Sequence, residues 1–173
     1  MEHGFHVHDE RHFLETFSLR QAWEIDVHPE SACDGPLDLS MAFDVEPRVL
    51  LALEDRVAES EDVVLDAEGE FRLPLFFNWG LPPLKQQPDL VVIAAELAGI
   101  GGLDLPIEVS VLESYAALSE GPELRLSIVG KVQVSLLNVM NGTEKMCEIL
   151  DRCREVSEWL VDHADDWGLE GPM

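Results

Sequence analysis

Four histidines crowd residues 1–12, His3, His6, His8 and His12, with Asp9 and Glu10 among them. Imidazole and carboxylate groups are ligands for zinc, nickel or iron, and on an extended segment His6 and His8 would point two rings to the same side. Their spacing matches no established metal motif. Residues 1–12 are therefore read as a solvated, His-rich leader, and no metal or cofactor is expected.

The thiols offer less. Cys33, Cys147 and Cys153 form no CxxC pair and are odd in number, which argues against both a disulfide scaffold and a four-ligand zinc site and fits a reducing cytoplasm. Cys147 and Cys153 are six apart on a helical pattern, too far round the axis to bridge easily, and Cys153 falls on the apolar stripe as a small hydrophobe. His163, late on the same helix, is placed to meet the negative end of its dipole. Carboxylate pairs such as Glu24/Asp26 and Glu68/Glu70 are too common here for spacing alone to make one catalytic. Gly99-Ile100-Gly101-Gly102 lacks the GxGxxG pattern and the Walker lysine, and is read as a hairpin turn. No catalytic residue is assigned, and an enzymatic role is not favoured.

The segment Leu75 to Leu84 is the most informative. It carries Phe76, Phe77 and Trp79 but is interrupted by Gly80 and by Pro82-Pro83, so it is expected to leave the regular ladder as an apolar loop. Such a loop either folds back on the core or presents its side chains to a ligand, a sister subunit or a partner. Phe76, Phe77, Trp79, Leu81 and Leu84 are the candidate partner- or ligand-binding residues.

These residues must be positioned by a sheet. Apolar side chains alternate with polar ones over residues 13–27, 37–45, 63–73, 103–115 and 124–136, with turn residues at Asp34-Gly35-Pro36 and Ser119-Glu120-Gly121-Pro122. The alternation predicts a mostly antiparallel sheet with one wet face. Leu90 to Leu97 is almost wholly apolar, which suits a buried strand or a short buried helix, and Val91, Val92 and Ile93 favour the strand. Helical spacing of Val49, Leu50, Leu53 and Val57 behind Pro47 predicts a short helix. A long C-terminal helix over about 143–165 follows from Met146, Ile149, Leu150, Cys153, Val156, Leu160, Val161 and Ala164, with Asn141 as its N-cap. The predicted fold is α+β: a curved, mostly antiparallel sheet of about six strands in the order β-β-α-β-β-β-β-α, with the last helix on its apolar face. Residues 13–167 are taken as a single domain and 168–173 as a short tail.

Composition sets the partner class. The 173 residues are 46% hydrophobic, enough for a packed core. Their 35 Asp and Glu against 11 Lys and Arg give a net charge of −24, spread over both halves of the chain. A nucleic-acid backbone or anionic membrane would meet a repulsive field, so neither is an expected partner. The acidity suits either a salty cytoplasm or a basic partner. No apolar run approaches the roughly 18 residues of a membrane helix, and Met1 to His6 lacks a signal-peptide pattern, so a cytoplasmic location is expected. The leading functional expectation is a non-enzymatic binding protein acting through a protein partner or self-association. The alternative is a small-molecule-binding or enzymatic domain with a pocket between the sheet and the C-terminal helix.

Overall fold

A computed structural model describes residues 3–30, 35–59, 71–115 and 121–167. Six strands, β1 (Phe5–Leu14), β2 (Gln21–Pro29), β3 (Asp38–Val45), β4 (Arg72–Gly80), β5 (Ile107–Ser114) and β6 (Glu123–Ser135), form one curved sheet in the order β1-β2-β3-β4-β6-β5. Every pairing is antiparallel. Helix α1 (Pro47–Glu59) joins β3 toward β4, α2 (Leu90–Gly101) joins β4 to β5, and α3 (Leu136–Met140) and α4 (Met146–His163) follow β6. The α+β class, the six antiparallel strands and the C-terminal helix agree with the sequence reading.

The period-two pattern sets the faces. Along β4, Leu73, Leu75, Phe77 and Trp79 are buried while Arg72, Pro74, Phe76, Asn78 and Gly80 turn the other way. The buried set joins Leu39 of β3, Leu126 and Ile128 of β6, Ile93 and Leu97 of α2, and Ile149, Cys153, Val156 and Leu160 of α4 in one cluster. Helices α2 and α4 are therefore tied to the same sheet face.

Five local expectations are corrected. The N-terminal histidines are not a leader: Phe5–Leu14 is the edge strand β1, in register with β2 from Phe5 opposite Pro29 to Leu14 opposite Gln21. Residues 13–27, read as one strand, are split by a loop in which the Glu15 carbonyl accepts from the Leu19 N–H at 2.8 Å and the Arg20 carbonyl from the Glu15 N–H at 2.9 Å. The loop holds neither Gly nor Pro and so carries none of the usual turn signals. Leu19 adopts φ 57° instead.

Leu75 to Gly80 is not a loop but the interior of β4, paired with both β3 and β6. Pro74 lies just beyond the last β3–β4 pair, Phe43 with Leu75, and Gly80 closes the strand before Pro82, so neither interrupts the central ladder. Leu90–Gly101 is helix, not strand. Asp89 caps it by accepting from the Val91 and Val92 N–H groups at 3.0 and 3.3 Å, and Gly102 at φ 61° ends it by donating to the Ala98 carbonyl. Gly99 to Gly102 is thus a helix end and not a hairpin turn. Only Ile93, Leu97 and Gly101 are buried along α2, a four-residue stripe that a uniformly apolar run concealed.

The boundaries of the C-terminal helix also shift. Asn141 closes α3, whose Ser135 cap accepts from the Asn138 N–H, and α4 begins after Lys145 without a side-chain cap. The predicted helix near Pro47 is present as α1. The expected strand over 63–73 falls mostly outside the described residues, as do Glu68, Glu70, Cys33 and the 168–173 tail.

Candidate functional site

The sheet face that carries Ser40 and Asn78 holds a cleft of about 680 Å³ whose walls include His8, Arg11, Asp26, His28, Asp38, Ser40 and Asn78. The ladder explains the grouping. Asp9 lies opposite Asp26, Asp26 opposite Ser40, and Ser40 opposite Asn78, so one polar row crosses four strands, and the His6–His28 pair lies beside it on β1 and β2. A β-bulge between Val7 and Asp9 resets the register of β1 and turns His8 toward His28. Their Nε2 atoms are 3.1 Å apart and their ring centroids 4.0 Å. The His6 ring is 5.6 Å from that of His28, and its Nε2 lies 3.7 Å from Glu30 Oε1.

Arg11 is held by three carboxylates: Asp26 at 2.7 Å, Asp9 at 3.2 Å and Glu24 at 3.4 Å. Glu24 and Asp26, one of the pairs considered for acid–base work, are therefore engaged with a guanidinium. In this partly exposed setting the pairs fix orientation more than they stabilise the fold. The other N-terminal histidines are also placed by contacts: His3 Nδ1 meets Asp151 at 3.2 Å, and His12 stacks on Trp23 at 4.4 Å.

The residues singled out from the sequence separate into two groups. Phe77 and Trp79 are buried in the core, and Leu81 and Leu84 are buried beside them, with the Leu84 N–H donating to the Leu124 carbonyl at 2.8 Å. Phe76 alone turns to the other sheet face, half-buried, with the Lys131 ammonium 5.2 Å from its ring centroid. Between the sheet and α4, buried side chains of both pack in one cluster. There the Trp79 indole N–H donates to Ser157 Oγ at 2.8 Å, and the Ser157 hydroxyl donates to the Cys153 carbonyl at 2.8 Å.

Burial pushes the Cys153 thiol far above its ordinary value, leaving it protonated and unreactive. Cys147 is exposed. A thiol reagent should thus modify Cys147 in the native protein and Cys153 only on unfolding. Mass mapping of labelled peptides in native buffer and in denaturant checks this, and native labelling of Cys153 would contradict its burial.

Two features had weak or absent sequence signals. His28 was not associated with the N-terminal histidines, because only strand register brings it there. The β1–β2 tip was hidden inside an apparent single strand, yet it exposes Phe13, Leu14, Phe17 and Leu19, with Phe17 wholly in solvent. A smaller crevice of about 180 Å³ lies where Asp89 and Glu96 meet Trp159, His163 and Trp167; there the His163 Nδ1–H donates to the Trp159 carbonyl at 2.8 Å, as its place at the helix end suggested. Comparisons with family models, curated proteins and solved structures found no match.

Proposed function

We propose that this chain is a non-enzymatic binding protein that engages a basic protein partner through the tip of the β1–β2 hairpin. The carrying observation is Phe17, 101% exposed, in a turn where the bulky Leu19 is held at φ 57°. The left-handed region costs such a residue about 1–2 kcal/mol, and strain of this kind concentrates at contact sites. Phe13 and Leu14 extend the apolar patch onto the edge strand. The charge of −24 selects the partner: a second copy would bring a like field, whereas basic residues around an apolar socket would be steered toward this one. An adaptor, a chaperone-like factor or an assembly subunit of the cytoplasm fits that chemistry. Among the described residues no helix is long and apolar enough to cross a membrane.

Affinity purification from the native cell with the wild type and with Phe17→Ser tests the role. A basic partner recovered by the wild type should be lost with Phe17→Ser, while the unfolding midpoint stays within about 0.5 kcal/mol because the side chain is exposed. Equal recovery by both, or sedimentation showing the tip pairing two copies, would refute the basic-partner assignment. A small-ligand role is the alternative, favoured by the cleft lined by His8, Ser40 and Asn78, whose volume is in the range of ligand pockets. Its signature would be a stabilising metabolite whose effect is lost on Asn78→Ala.

A further inference from the structure

The cluster at the far end of the β1–β2 ladder from the hairpin tip does a different job. We propose that His8 and His28, with His6 as third ligand, form a binding site for a borderline divalent transition metal such as zinc or nickel.

Geometry carries the assignment. The Nε2 atoms of His8 and His28 are 3.1 Å apart. Two imidazole nitrogens, each about 2.0–2.1 Å from one ion at tetrahedral or octahedral angles, are separated by roughly 2.8–3.4 Å. The two Nε2 atoms therefore already hold the spacing of neighbouring ligands, and because the ring centroids are only 4.0 Å apart, it is a turn of the exposed His8 ring that brings both lone pairs onto one point. Without a metal, one Nε2–H donates to the other nitrogen. With a metal, the ring protonated at Nε2 releases that proton to solvent and takes one at Nδ1, leaving both Nε2 lone pairs on the ion and no net change in charge on the rings.

The backbone supports the same outcome. His28 is 7% exposed, which limits its rotation, and the bulge in β1 is what aims His8 at it. Among the described residues no three His, Cys, Asp or Glu side chains converge on one point. His6 supplies the third by side-chain rotation alone, because it is directly opposite His28 in the register, its side chain is half exposed, and its ring is 5.6 Å away. Nitrogen ligands select zinc, nickel, cobalt or copper over magnesium and calcium. Carboxylates of Asp26 and Glu30 nearby favour a cation, and Arg11 is already neutralised by its three carboxylates. The cleft leaves room beside the ion for water or an exogenous ligand.

The test is titration of the untagged full chain with zinc, followed by calorimetry, in excess magnesium to occupy surface carboxylates. One ion per chain is expected, at micromolar affinity or tighter. His8→Gln should weaken binding at least about tenfold and His6→Gln by a smaller factor, while His12→Gln, whose ring stacks on Trp23, should leave it unchanged. All three substituted side chains are on the exposed edge strand, and circular dichroism verifies that each variant is folded. Zinc-induced shifts of the His8 and His28 ring protons would support the assignment directly. No saturable binding, or binding that survives His8→Gln in a folded variant, would overturn it.

Discussion

Trp79→Ala should lower the free energy of unfolding by about 3–5 kcal/mol, the usual result of removing a buried aromatic and leaving a cavity. Trp79 is 2% exposed and lies against Gly130, where an added Cβ would fall 3.2 Å from the indole Cζ3 and 2.8 Å from Leu105 Cδ1. The side chain thus occupies a site shaped by a missing methyl group. It also links the sheet to α4 through Ser157 and the Cys153 carbonyl. Ser157→Ala strands the indole N–H without its acceptor and should cost about 1–3 kcal/mol on its own. Denaturant unfolding of both variants measures this. A loss below about 1 kcal/mol for Trp79→Ala, accompanied by weakened association, would return Trp79 to the contact role its sequence setting suggested.

Leu160→Ala should cost about 2–5 kcal/mol, whereas Leu150→Ala should cost less than half as much. Periodicity places both on the apolar stripe of the last helix. In the fold Leu160 is 0% exposed within the central cluster, while Leu150 is half-buried at its margin. The cost scales with the area returned to water and the space left behind, so the two positions separate. Equilibrium denaturation with an unchanged m-value checks the difference. Equal losses would mean that α4 packs in another rotation about its axis.

The sheet and its covering helix were legible because alternation and the 3.6-residue period report burial directly. Leu124, Leu126, Ile128, Val132 and Val134 alternate along β6 as their residue types require. What escaped were decisions made by single residues or by distant chain. Asp89 and Gly102 make residues 90–101 a helix, although Val91, Val92 and Ile93 favour a strand by propensity. Leu19 turns the chain in a conformation its type disfavours, and no residue preference announces that. The candidate sites were the least legible. Aromatic residues in 75–84 drew attention because Gly80, Pro82 and Pro83 looked disruptive, yet Phe77 and Trp79 proved to be core. His28 joins His6 and His8 only through the β1–β2 register, which a linear pattern does not contain.

The strand order has a consequence for how the chain is made. β1 to β4 pair in succession, so a four-stranded sheet can assemble while later residues are still being synthesised. Its last strand, β4, must wait for β6, and that pairing closes a loop containing α2 and β5. Its apolar face must wait longer, until α4 emerges near the end of the chain. Throughout that interval Leu75, Phe77 and Trp79 stand uncovered on an open-edged sheet, the kind of intermediate that associates with its neighbours. The dispersed carboxylates are already present in the nascent segment, and mutual repulsion between chains is then the protection available before the native cover arrives.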